Sequence, residues 1–202
     1  MRKQQRKRPP SARKTSRRPR SWARSVRGSR KKKSTSRRPS PRAAYLGLGS
    51  NLGDRRSNLL AALDGISRLA RLRRVSSFYV SQPVGYAAQP VFWNAVASIA
   101  WSGTAVSLLS GVKRIEKHLG RAPTFRNGPR VIDIDLLDVG RTVRAREPIL
   151  PHPRLPERRF VLVPLAEIAP SWRHPVSGLT AAQMLARLPR KPWVRKTADA
   201  EA

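Results

Sequence analysis

Apolar and polar positions change rhythm along this chain, and each change marks an element. Residues 43–51, AAYLGLGSN, form a short apolar run ending in turn formers, which predicts a strand entering a loop. Between residues 54 and 72, Leu59, Leu63, Ile66 and Leu69 recur at helical spacing and predict an amphipathic helix. RRVSSFYVSQ, residues 73–82, is rich in β-formers, and Pro83 ends it. Beyond the turn PVGYAAQP, residues 91–101, VFWNAVASIAW, predict another strand. Thr104 is the expected N-cap of a second helix, with Leu108, Val112, Ile115 and Leu119 on one face and Gly120 as its stop. A polar loop, residues 121–127, then leads to the strand RVIDIDLLDV, residues 130–139.

This order, β-α-β-β-α-β, predicts an α+β fold: a ferredoxin-like sandwich with an antiparallel sheet and both helices on one face. The segment 151–170 and a short helix near Leu179–Leu188 are expected as C-terminal additions. The chain divides into a basic tail over 1–42, a folded domain over 43–190 and a flexible C-terminus over 191–202.

Charge sharpens that division. The net charge is +32, but residues 1–42 carry 19 Lys and Arg without one acid, leaving 24 basic against 11 acidic residues in the remainder. An Arg-, Lys-, Ser- and Pro-rich segment cannot recover its chain entropy by packing, so disorder is its expected state. Three roles compete for it: non-specific nucleic-acid binding by counterion release, targeting, or none, including a start of translation assigned too early. The sequence has no cysteine, which excludes disulfide scaffolds and Cys-ligated metal and suits a reducing compartment. No apolar run reaches the roughly 18–20 residues that span a bilayer, so a soluble, cytoplasmic monomer without membrane contact is expected.

The chemistry concentrates in GPRVIDIDLLDV. Successive strand residues face opposite sides, so Asp133 and Asp135 share one face and Ile132, Ile134 and Leu136 the other. Carboxylates so placed can converge on one or two hard cations, and without a cation they would repel until one took up a proton. Asp138 has the wrong parity for this face and reads as a strand-end residue. Arg121, Arg126 and Arg130 precede the strand, and Arg154, Arg158 and Arg159 follow His152. Guanidinium groups pair with phosphate oxygens in bidentate fashion, so carboxylates and arginines together make the kit of phosphoryl-type transfer. No P-loop or protein-kinase signature is present, and the glycines of GLGSNLG are wrongly spaced for a dinucleotide fingerprint.

Six blocks in order, YLGLGSNLGDRRSNL, VSSFYVSQPVG, FWNAVASI, RIEKHLGR, GPRVIDIDLL and PHPRLPERRFVLVPLAEIAP, resemble 6-hydroxymethyl-7,8-dihydropterin pyrophosphokinases over residues 43–172. The resemblance implies transfer of diphosphate from ATP to the pterin hydroxymethyl group in folate biosynthesis. It implies two Mg2+ ions on Asp133 and Asp135, and ATP contacts from Glu116, Arg121, Arg130, His152 and Arg158. It assigns Arg121 and Arg130 to catalysis, and Ser81, Val84, Gly85, Phe92, Asn94 and Phe160 to the pterin. Pro123 stands where relatives have a second loop arginine, with Arg126 as the nearest substitute, and Phe92 stands where a tyrosine is more familiar. The rival reading is a ferredoxin-like nucleic-acid-binding domain with a basic tail. It leaves the aspartate pair unexplained and lacks the aromatic signature of an RNA-recognition sheet.

Overall fold

The structure, a computed structural model, describes residues 40–197. The tail over 1–39, the roles weighed for it, and residues 198–202 lie outside the described residues. Among the described residues β1 (Arg42–Ser50) is the first element, and it takes in Arg42, the last residue of the expected tail. It is followed by α1 (Arg55–Leu69), β2 (Arg71–Val75), β3 (Tyr79–Ser81), β4 (Phe92–Trp101), α2 (Ala105–His118) and β5 (Asp133–Val139). The run 73–82, expected as one strand, is split: β2 and β3 both pair antiparallel with β4, and Ser76 bonds into the gap between them through Val96.

β1 lies between β4 and β5, antiparallel to both. α1 and α2 start on side-chain caps. Asp54 accepts the N–H of Ser57 at 3.1 Å, and Thr104 accepts that of Ser107 at 3.0 Å, each filling an orphan donor of a first turn. Their apolar stripes, Leu59, Ala62 and Ile66 on α1 with Leu108 and Val112 on α2, bury against Leu46, Ala97, Ile99 and Ile134 of the sheet.

The expectation of helices on one face holds only for α1 and α2. α3 (Arg159–Ile168) and α4 (Ala181–Arg187) cover the opposite face, packing Val161, Leu162, Leu165 and Met184 onto Val96 and Leu137. The segment taken as an addition is thus a second layer with its own apolar core. A flexible segment from residue 191 is also corrected: β6 (Val194–Lys196) pairs antiparallel with β3, with Ser81 opposite Val194. Among the described residues, no helix is long and apolar enough to cross a membrane.

Asp138 is a further correction. The pairing of β1 with β5 slips between Tyr45 and Leu46, so that Tyr45 opposes Asp138 while Leu46 opposes Leu136. Leu137 is the extra residue of a β-bulge, which resets the alternation. Leu137 and Asp138 therefore both turn towards the α3 layer. Asp138 is 1% exposed there and accepts Trp172 Nε1–H at 3.1 Å.

Candidate active site

Asp133 and Asp135 sit on the α3-side face of β5, as their parity requires. Opposite them on β1 stand Gly49 and Gly47, and beyond Gly49 lies Asn94 of β4. Two residues without side chains thus leave a floor between the carboxylates and the central strand. Above that floor is a cavity that Phe160 and Val161, at the start of α3, help to line. Arg130, Arg154 and Arg158 line it with the two aspartates, and Ser81, Val84, Phe92 and Asn94 line its other half.

Each carboxylate has its own cationic partners. Arg121 Nη1 lies 2.6 Å from Asp133 Oδ1, and Arg130 Nε lies 3.2 Å from Asp133 Oδ2. Arg158 Nη1 donates to Asp135 Oδ2 at 2.9 Å. The anticipated repulsion between the aspartates is thus met by three guanidinium groups, two from the loop 121–130 and one from Arg158 before α3. Burial pulls the Arg121 pKa down, but Asp133 and Glu116 outweigh it and raise it overall, so this side chain keeps its charge.

Glu116 and Arg121 stand one layer behind the cavity lining. Glu116 is 2% exposed, accepts the backbone N–H of Ile134 at 2.7 Å, and pairs with Arg121 and Lys113. It is neither a helix-surface residue nor part of the cavity wall. His152 lies 3.7 Å from Asp135, and its Nδ1 accepts the N–H of Arg154 at 3.1 Å, which assigns the ring proton to Nε2. Burial lowers the His152 pKa against the pull of Asp135, with Arg158 adding to the lowering, so the ring is neutral at physiological pH.

The polar and aromatic half is built for a flat, hydrogen-bonding ligand. Asn94, 4% exposed, donates Nδ2 to Ser81 Oγ at 3.0 Å, which leaves its Oδ1 directed at the floor beside Gly49. Arg130 sits 5.5 Å over the Phe92 ring and Arg158 sits 5.6 Å over Phe160, so each aromatic carries a cation on one face. Gly85 does not line the cavity; it faces Asn127, whose Nδ2 would lie 2.6 Å from a β-carbon placed on it.

Sequence reasoning had not singled out Gln82 and Asn127, which also line the cavity. The glycines at 47 and 49, wrongly spaced for a dinucleotide fingerprint, form part of the cavity lining instead. Their spacing opposite the DxD motif was the available signal, once β1 and β5 are paired.

The donor set suits a hard cation. Mg2+ takes one or two carboxylates and completes its shell with phosphate oxygens and water. Among the described residues no third His, Cys, Asp or Glu joins the pair. The fold and site thus define a two-substrate transferase class: acid pair and arginines on one side, amide and aromatics on the other.

Comparison with known proteins gives that class its family. Residues 45–170 match the family described as 7,8-dihydro-6-hydroxymethylpterin-pyrophosphokinase (HPPK), and the chain belongs to it. The 2-amino-4-hydroxy-6-hydroxymethyldihydropteridine pyrophosphokinase of Pseudomonas aeruginosa is 40% identical over 148 residues, covering 72% of this chain and 91% of that protein. The enzyme of the same name from Aquifex aeolicus is 40% identical over 133 residues, covering 65% of this chain and 83% of its own. Folic acid synthesis protein FOL1 of Dictyostelium discoideum is 39% identical over 146 residues, covering 72% of this chain; the match spans only 22% of that longer protein. The Plasmodium falciparum HPPK-DHPS structure with pterin and p-hydroxybenzoate has the same fold, with a TM-score of 0.58 at 15% identity over 75% of this chain and 44% of that one. The family match replaces the rival reading as a nucleic-acid-binding domain.

Proposed function

We propose that this chain transfers the diphosphate of ATP to the hydroxymethyl oxygen of 6-hydroxymethyl-7,8-dihydropterin, forming AMP and the pterin diphosphate in folate biosynthesis. The observation that carries this is the paired aspartates at the floor of one cavity, with guanidinium groups on one side and an amide between aromatics on the other. The β1–α1–β2/β3–β4–α2–β5 unit is read as the ferredoxin-like core, with β2 and β3 together as its second strand.

Phe92 and Phe160 would flank the pterin, while Asn94 Oδ1 accepts from its hydrogen-bonding edge. Asp133 and Asp135 would hold two Mg2+ ions, which supply neutralisation of phosphate charge and a lowered pKa at the pterin hydroxyl. Arg121, Arg130 and Arg158 have phosphate as an alternative acceptor to the aspartates, so nucleotide entry frees the carboxylates as it engages the arginines. Neutral His152 keeps its Nε2–H as a donor to a phosphate oxygen.

In the reaction the hydroxymethyl oxygen attacks the β-phosphorus in line. The bond from that phosphorus to the α,β-bridging oxygen breaks, AMP departs with the bridging oxygen, and the hydroxyl proton passes to solvent. The arginines stabilise the charge that builds on the departing and transferred groups. The protein is read as a cytoplasmic monomer, and the role of the basic tail stays among the three weighed above.

The test is AMP formation from ATP, the pterin and Mg2+, by the full chain and by one beginning at residue 40. Asp135→Ala should lose roughly 100-fold or more in turnover, the scale of removing one charge-stabilising group. Full turnover by that variant would refute the assignment.

A further inference from the structure

Asn51 is 2% exposed and sits just past the end of β1, outside the cavity lining. Its backbone N–H donates to Arg130 O at 3.1 Å, while its side-chain Oδ1 accepts the Arg130 N–H at 2.7 Å. The same side chain donates Nδ2 to Gln89 Oε1 at 2.9 Å and to Pro90 O at 3.2 Å. Gln89 continues the chain: its Nε2 donates to Tyr86 O at 2.7 Å and to Asn127 O at 2.9 Å. One buried amide and one half-buried amide thereby join two loops that are 38 residues apart in sequence.

Those loops carry different halves of the site. Residues 82–91 bear Val84 on the pterin side, and residues 121–130 bear Arg121 and Arg130 on the phosphate side. Two more contacts lie on the same seam. Tyr86 meets Phe125 edge-on with ring centroids 5.2 Å apart. Gly85 has φ +94°, and a β-carbon there would stand 2.6 Å from Asn127 Nδ2, so only glycine allows the approach. Neither Asn51 nor Gln89 contacts the cavity, and every polar atom of the Gln89 amide is spent on the join.

We infer that Asn51 and Gln89 are positioning residues that latch the pterin-side loop to the arginine loop, so that filling one subsite raises affinity at the other. The coupling rests on the diphosphotransferase reading above; the latch itself does not. A ligand that orders one loop orders the other through the latch, and the second ligand then meets a loop whose freedom is already lost.

The experiment has two arms on the full chain. In the first, amide hydrogen exchange without any ligand is followed over residues 121–131 in the parent, Gln89→Ala and Gln89→Glu. The glutamate keeps the acceptor for Asn51 and removes both donors, so it cuts the latch with no change of size. Each variant should exchange roughly fivefold faster or more in that segment, although the substitution lies in the other loop. In the second arm, affinity for the pterin is measured by titration with and without α,β-methylene-ATP and Mg2+. The parent should show a coupling factor in the range of about 5 to 150, and both variants should fall below about 2.

Unchanged exchange overturns the latch. Weakened affinities with an intact ratio overturn the coupling, because a merely structural role moves both constants together. A parent that binds neither ligand overturns the transferase reading, and the ligand-free exchange tells that failure apart from a failed latch.

Discussion

Glu116 Oε1 accepts the backbone N–H of Ile134 at 2.7 Å, so a buried carboxylate on α2 braces the single residue between the two aspartates. The same carboxylate pairs with Arg121, which in turn reaches Asp133. Glu116→Ala leaves a buried N–H without an acceptor, a loss of about 1–3 kcal/mol, and releases Arg121 from one side. Glu116→Gln retains an acceptor and should recover part of the stability but not the hold on Arg121. Thermal melts and the AMP assay on both variants check this: stability partly restored by Gln, turnover restored less.

Asp138 predicts a pH dependence of stability. Burial raises its pKa above the ordinary 3.8, against the lowering by bonds from Trp172 and Arg141. The unfolded carboxyl then loses its proton at lower pH than the folded one. This group's share of stability is intact below 3.8 and is lost as pH rises through the raised folded value. Asp138→Asn keeps an acceptor for Trp172 and cannot ionise. Its melting temperature should exceed the parent's at neutral pH, and the gap should close below that value. A constant gap at every pH would contradict the assignment.

Metal removal supplies a third test. Chelation should stop AMP formation and added Mg2+ should restore it in the parent. In Asp133→Asn the carboxylate charge is gone while the side-chain volume is kept. The Mg2+ concentration for half-maximal rate should rise roughly tenfold or more.

Deleting residues 192–202 removes β6 and exposes the outer edge of β3. Ser81 then loses its Val194 partner, and Gln82 loses both of its bonds to Trp193. The pterin KM should rise about tenfold, the equivalent of about 1.4 kcal/mol, with the ATP KM unchanged. Equal changes in both constants would mean that β6 supports the whole fold rather than that edge.

The aspartate pair was legible because it needs only alternation: a straight strand puts Asp133 and Asp135 together, and the strand is straight up to Leu136. Asp138 was misplaced because a bulge at Leu137 resets parity, and nothing in the local string LLDV marks it. The caps at Thr104 and the stripe Leu108, Val112 were legible from helical spacing alone. β6 was not, since three residues, Val-Arg-Lys, carry no periodicity and owe their strand state to the free edge of β3. The second helical layer was seen as segments but not as a face, because which side of a sheet a late helix covers is set by the path of the chain. Asn51 and Gln89 stayed hidden for a similar reason: an amide announces nothing until its partners, distant in sequence, are brought within 3 Å.

The strand that borders Ser81 comes from residues 194–196, long after the acids and arginines have been made. A growing chain on the ribosome therefore holds its cation and phosphate groups before it holds a finished wall for the second substrate. Full affinity for the second substrate should therefore appear only once residues 194–196 have paired with β3, after the acids and arginines are already in place.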